Sequence, residues 1–122
     1  MTKIVFIEDE LALQKSLGDF LRSQGYEVYS ALNGEEGLAM VRAYHPDLVL
    51  LDIILPRMDG IEVLRAIRND PAIQSTAVVM LTNSESNDAV QESVALGAKA
   101  YLTKTSYTLD EVSEKLKSIL GS

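Results

Sequence analysis

Five short runs rich in Val, Ile and Leu recur at near-regular intervals along the chain: Lys3–Ile7, Glu27–Ala31, Leu48–Asp52, Ala77–Thr82 and Ala100–Thr103. Runs of this length and composition predict strands. A stretch with helical periodicity follows each. Leu11, Leu17, Phe20 and Leu21 mark the first helix, with Gly25 as its stop. Leu38, Val41 and Tyr44 make the stripe of the second, which Asn33 can cap and which ends before Pro46, because the residue preceding a proline is pushed out of the helical region. Ile61, Leu64 and Ile67 carry a third helix over Gly60–Asn69, Val90, Val94 and Leu96 a fourth that Gly97 stops, and Leu109, Val112, Leu116, Ile119 and Leu120 a fifth. Strand and helix alternating five times predict a parallel sheet covered on both faces by right-handed crossovers. Ile4–Ile7 and Leu48–Leu51 are apolar throughout, as strands buried on both faces are.

Length and charge narrow the picture. A chain of 122 residues, 47% hydrophobic and without linker, repeat or low-complexity tract, reads as one domain over residues 1–122. The net charge of −7 repels nucleic-acid phosphates and anionic membranes, which argues against direct binding to either. Cysteine is absent, which removes disulfides and thiolate metal sites. No apolar run approaches the roughly 20 residues that span a bilayer, and the first residues enter a strand rather than a signal-peptide core. The expected location is the cytoplasm.

Open parallel sheets bind ligands beyond the carboxyl ends of their strands. Those positions hold Glu8, Asp9 and Glu10 after the first strand, Asp52 and Thr82 closing the third and fourth, and Lys104 after the fifth. If the first and third strands are neighbours, Asp9 and Asp52 converge and repel unless a cation joins them. A hard, oxygen-seeking ion such as Mg²⁺ (or Mn²⁺) suits such carboxylates. Lys104 adds a point charge able to neutralise a phosphoryl oxygen, and the Thr82 hydroxyl can donate to another. Phosphoryl transfer needs mainly alignment and charge neutralisation, so Asp52 reads as a nucleophile that becomes an aspartyl phosphate.

Several markers stand in order: the acids at 8–10, the run Pro46-Asp47-Leu48-Val49-Leu50-Leu51-Asp52, Pro56 and Gly60, Thr82, Gly97-Ala98, Tyr101-Leu102, and Lys104. Together they resemble the response-regulator receiver family over nearly the whole chain. The resemblance implies a flavodoxin-like (βα)5 fold with strand order 2-1-3-4-5, the order of the chemotaxis receiver. It also implies that Asp9, Asp52 and the Ile54 carbonyl ligate Mg²⁺, with Glu8 acting through a metal-bound water. Thr82 and Tyr101 become a switch pair that reshapes the surface of the fourth helix, fifth strand and fifth helix. The implied partners are a histidine kinase or histidine phosphotransfer protein upstream and an effector domain or protein downstream. The unphosphorylated chain is expected to be a monomer, with dimerisation on activation left open, and to be a regulatory phosphoacceptor rather than an enzyme.

The chain departs from the family pattern at four positions. Thr105 stands where most receivers carry a proline joined by a cis peptide. A cis bond costs about 2.5–4 kcal/mol without proline, so Lys104-Thr105 is expected to be trans, with the start of the fifth helix displaced. Asn83 replaces a small residue after the switch threonine. Ile54 and Ser84 stand where some relatives carry an amide or acid that orients water, which predicts slow self-dephosphorylation.

Each marker alone has a plainer reading. The acids at 8–10 fit an ordinary helix start, Thr82 a β-branched strand residue, Lys104 a solvated charge and Tyr101 partly buried core. His45 reads as a helix-end residue, and Met40 and Met80 as core filler. A phosphatase of the haloacid-dehalogenase type needs a second aspartate where Ile54 stands. A flavin or nucleotide site needs donors where the acids 8–10 would repel phosphate. A pseudo-receiver that only binds partners would not need the full acid, threonine and lysine set.

Overall fold

The computed structural model describes residues 1–82, 87–105 and 107–121. Within them the strands are β1 (Lys3–Ile7), β2 (Glu27–Ala31), β3 (Leu48–Asp52), β4 (Ala77–Thr82) and β5 (Ala100–Thr103). The helices between and after them are α1 (Leu11–Ser23), α2 (Gly34–Tyr44), α3 (Gly60–Asn69), α4 (Asn87–Ala95) and α5 (Leu109–Leu120). All strand pairs are parallel, in the order β2-β1-β3-β4-β5. This is the expected flavodoxin-like arrangement, with its order reversal beside β1 and β3.

Every residue of β3 is buried, yet its side chains still alternate between two cores. Val49 and Leu51, with Val5, Ile7, Val78 and Met80, face Leu38 and Val41 of α2 and Val63, Leu64 and Ile67 of α3. Leu48 and Leu50, with Ile4, Phe6, Val79, Leu81 and Leu102, face Leu17 and Leu21 of α1 and Val112 and Leu116 of α5. Met80 is core as expected, and Met40 packs at the edge of the first cluster.

Local chemistry sets the helix ends. The Asn33 side chain accepts from the Glu36 N–H, while Asp59 with Glu62 and Thr108 with Glu111 form capping boxes at α3 and α5. Gly25 and Gly97, at φ +96° and +75°, take the left-handed conformation that follows α1 and α4. His45 does the same at the end of α2, with φ 47°, ahead of Pro46. The described residues contain no cis peptide, so Lys104-Thr105 is trans as expected.

Five positions of the apolar stripes differ from expectation. Leu11 begins α1 before its first buried turn and is 68% exposed, the inward positions being Gln14, Leu17, Gly18 and Leu21. Val94 is 67% exposed because the adjacent Ser93 points inward and donates to the Ala89 carbonyl at 2.8 Å, satisfying its hydroxyl within the helix. Leu96 lies beyond α4 and packs against the α2–α3 core from the following turn. Tyr44 is exposed at the end of α2 and stacks on Tyr29 with centroids 4.1 Å apart. Leu109, the first residue of α5, is exposed as well.

Gly60 packs the start of α3 onto the residues that follow β3. Its N–H donates to the Ile53 carbonyl at 2.7 Å, and a Cβ there would lie 2.1 Å from the Asp52 carbonyl oxygen. Gly18, by contrast, lies in mid-helix, and its nearest obstacle would be the flexible Arg22 guanidinium at 3.4 Å. Gly60→Ala is expected to lose about 1–3 kcal/mol or more through forced backbone displacement. Gly18→Ala is expected to gain up to about 1 kcal/mol from helix propensity. Urea-unfolding midpoints of the two variants check this contrast, and an unshifted midpoint for Gly60→Ala would contradict the close approach.

Candidate functional site

Parallel register brings the strand ends to one rim. Ile7 pairs with Leu51, Asp52 with Leu81, and Thr82 with Thr103, so the residues that close or follow β1, β3, β4 and β5 meet over the sheet. The resulting cavity, of about 270 Å³, is lined by Glu8, Asp9, Glu10, Asp52, Ile54, Thr82 and Lys104. Six of the seven carry oxygen or nitrogen side chains.

Glu8 is fully buried and Asp52 is 5% exposed, whereas Asp9 and Glu10 face solvent. One carboxylate oxygen from each of Glu8, Asp9 and Asp52 lies within 4.8 Å of the others. The Lys104 backbone N–H donates to the Thr82 carbonyl at 2.7 Å, which carries the chain from β5 back over the rim. From there its Nζ donates to Asp52 Oδ2 at 3.0 Å and approaches Glu8 Oε1 at 2.5 Å. The second contact is a short ion pair between two buried side chains. The other oxygen, Oε2, accepts from the Glu10 N–H at 2.9 Å.

Burial sets the charge balance. Desolvation pushes the Glu8 carboxyl above its ordinary range, against the pull of Lys104 and the Glu10 N–H, and the neighbouring Asp52 charge adds to the rise. For Lys104 desolvation acts downward, but hydrogen bonding and charge from Glu8 and Asp52 outweigh it and the net shift is upward. Lys104 is therefore a permanent ammonium facing acids, of which Glu8 is reluctant to ionise. Fully ionised, Glu8, Asp9 and Asp52 against one ammonium leave two uncompensated negative charges, the charge of one divalent cation. The three converging carboxylates are an all-oxygen donor set that fits a hard ion of the Mg²⁺ type.

The structure thus brings together Glu8, Asp9, Asp52, Thr82 and Lys104, as the sequence predicts. Thr82 is buried at the cavity wall, while Ile54 is 68% exposed at the mouth. Tyr101 is half-buried on β5, opposite Met80, and packs against the α2–α3 core instead of lining the cavity. Asn83 and Ser84 lie outside the described residues.

Sequence reasoning passes over Gln14. Its amide is buried beneath the rim and donates to the carbonyls of Phe6, Glu8 and Ala31. The spacing of Gln14 from Leu17 and Leu21 places it on the inward stripe, and a polar residue at such a position is the signal that could have found it.

Comparison with known proteins agrees with this geometry. The response regulator receiver domain family matches residues 4–117. The chain is 34% identical to the sporulation initiation phosphotransferase F of Bacillus subtilis, covering 97% of this chain and 93% of that protein. It is 36% identical to the transcriptional regulatory protein CrdR of Helicobacter pylori over 94% of this chain, but it spans only 53% of that relative. It likewise spans about half of other curated relatives, such as 50% of the cell cycle transcriptional regulator CtrA of Caulobacter vibrioides. Among solved structures, a CheY-like receiver domain protein from Methanospirillum hungatei superposes with a TM-score of 0.89 at 32% identity, covering 99% of this chain and 94% of that one. The chemotaxis protein CheY4 of Vibrio cholerae gives 0.89 at 28% identity and 98% of both chains. The chain belongs to the response regulator receiver family of two-component signalling, whose members are regulatory phosphoacceptors rather than conventional enzymes.

Proposed function

We propose that Asp52 accepts a phosphoryl group from a phosphohistidine donor, on a histidine kinase or a histidine phosphotransfer protein, in the presence of a bound divalent cation. The observation that carries this reading is the buried Lys104 ammonium joined to both Glu8 and Asp52 in an otherwise acidic cavity. In the transfer an Asp52 carboxylate oxygen forms the new P–O bond as the P–N bond to the donor imidazole breaks. Lys104 holds the carboxylate in place, and its charge offsets that of the incoming phosphoryl oxygens. The Thr82 hydroxyl, at the cavity wall, would donate to one of those oxygens.

Asp9, Asp52 and the Ile54 carbonyl would hold Mg²⁺ or Mn²⁺ directly, and Glu8 through a coordinated water. The ion would supply charge neutralisation for the transferring group. Phosphorylation adds roughly −1.5 to −2 charge beside Thr82 and so biases the Thr82–Tyr101 pair and the α4–β5–α5 surface. That Tyr101 is only half-buried, with its ring at the edge of the α2–α3 core, is compatible with such a movement.

The relative named a phosphotransferase is similar over nearly its full length, which supports a role as a relay carrier. The transcriptional regulators, of which this chain spans half, support the reading in which an effector domain or protein receives the signal. The unmodified chain is taken to act as a cytoplasmic monomer. None of the helices among the described residues is long and apolar enough to cross a membrane.

Incubation with Mg²⁺ and acetyl phosphate, followed by intact mass, should show one added, base-labile phosphate that disappears in Asp52→Asn. Turnover of the donor without accumulation on the protein would favour a hydrolase instead. In thermal unfolding, Mg²⁺ at a hundred times its dissociation constant should stabilise the wild-type protein by about 2.7 kcal/mol. Asp52→Asn should lose that response, and an equal response in both proteins would put the cation elsewhere. Ile54→Asn introduces an amide at the cavity mouth and is expected to shorten the phosphate lifetime about tenfold, below the range of a full acid–base group. An unchanged half-life would remove Ile54 from the account of slow dephosphorylation.

A further inference from the structure

We propose that Gln14 is a positioning residue of the acid pocket: its buried side-chain amide fixes the peptide between Glu8 and Asp9, and with it the directions in which both carboxylates leave the backbone. This rests on the reading of the pocket as a cation site. Gln14 lies on α1, one turn inside the helix, and its Nε2 donates to the carbonyls of Phe6 at 3.2 Å, Glu8 at 3.1 Å and Ala31 at 3.1 Å. Two amide hydrogens are thus shared among three acceptors drawn from the end of β1, the loop beyond it and the end of β2.

The Glu8 backbone is held from both sides. Its N–H donates to the Ala31 carbonyl at 3.0 Å, and its carbonyl accepts from Gln14. The Glu8 carbonyl belongs to the planar peptide that leads into Asp9, so holding that oxygen fixes the plane on which both Cα atoms lie. The same helix secures the next residue, because the Gln14 backbone N–H donates to the Glu10 carbonyl at 2.9 Å. Glu10 in turn donates its N–H to Glu8 Oε2 at 2.9 Å. These two bonds start from the Gln14 backbone and hold Glu10 whatever side chain stands at position 14, so the part particular to the glutamine is its side-chain bond to the Glu8 carbonyl.

A packing role alone does not account for an amide here. Gln14 is buried, and its Oε1 has no hydrogen-bond partner among the described residues, so half of its polar capacity is desolvated without return. A leucine would fill the same space between Leu17 and the sheet without that loss. What the glutamine provides and a leucine lacks is a donor to the carbonyls of Phe6, Glu8 and Ala31, of which the Glu8 carbonyl leads directly into the pocket.

The test compares the full chain with Gln14→Met, which keeps the length and removes the donors, and with Ile67→Val, a core change on α3 in the other cluster. Mg²⁺ affinity is measured by titration calorimetry, and exchange of the Glu8 and Glu10 amides by NMR on metal-free protein. Gln14→Met is expected to weaken Mg²⁺ binding about tenfold, the low end for partners that orient metal ligands. Saturating Mg²⁺ should restore most of its phosphorylation by acetyl phosphate, and both amides should exchange faster. Ile67→Val should change none of these. If Gln14→Met does not fold, Gln14→Asn, one methylene too short to reach the three carbonyls, takes its place. Unchanged Mg²⁺ affinity in the Gln14 variant, or equal weakening in Ile67→Val, overturns the positioning role alone. A wild-type protein that takes up no Mg²⁺ overturns the cation-site reading, and this inference with it.

Discussion

The buried Lys104 ammonium between Glu8 and Asp52 is the interaction on which the site depends. Carboxylates taken out of water repel one another and lose hydration, and a cation among them offsets both costs only in part. Buried ion pairs seldom stabilise a fold, because desolvation consumes most of the Coulomb gain. Their presence at a strand-end cavity therefore points to chemistry. Lys104 reduces the repulsion without cancelling it, and the remaining negative charge suits a divalent ion.

The parallel sheet supplies the geometry at little expense to the core. Each strand alternates its apolar side chains between two helical layers, and all five end at one rim, so residues distant in sequence meet there without any special loop. The close packing of Gly60 against the Asp52 carbonyl fixes the residues just beyond β3. On the other side of the rim, the Lys104 N–H bonded to the Thr82 carbonyl orients the lysine toward the acids. Rigidity near Asp52 and a short, directed reach from Lys104 are what the proposed in-line transfer would require.

Much of this is legible in the sequence, for identifiable reasons. Strands as apolar as Ile4–Ile7 and Leu48–Leu51 leave little choice of structure, and Asn33, Gly25 and Gly97 mark helix ends by backbone chemistry that acts locally. The pocket follows from position, since Glu8, Asp9, Asp52, Thr82 and Lys104 all close or follow strands. Less is legible where a polar side chain satisfies itself out of sight. Ser93 occupies the inward position expected of Val94 because its hydroxyl finds a carbonyl one turn back. Gln14 is buried because three carbonyls from separate segments converge on it, which only the assembled sheet reveals. Arg68 likewise donates to the carbonyls of Gln74, Thr76, Leu96 and Gly97, joining the end of α3 to the turn before β5, and nothing in its local sequence announces that role. Sequence position presents Lys104 as a partner for phosphoryl oxygens, whereas its contacts in the unmodified protein are with the acids themselves.

The central claim is that charge at this rim forms a cation site around Asp52. The most direct measurement is addition of substoichiometric Mn²⁺ to ¹⁵N-labelled protein, with paramagnetic broadening of each backbone amide mapped onto the fold. The account predicts signal loss centred on Glu8, Asp9, Asp52 and Ile54, with amides at the opposite end of the sheet, such as Glu27, unaffected. Broadening centred on another acidic surface, such as the Asp110–Glu114 stretch of α5, or no saturable broadening at all, would contradict it.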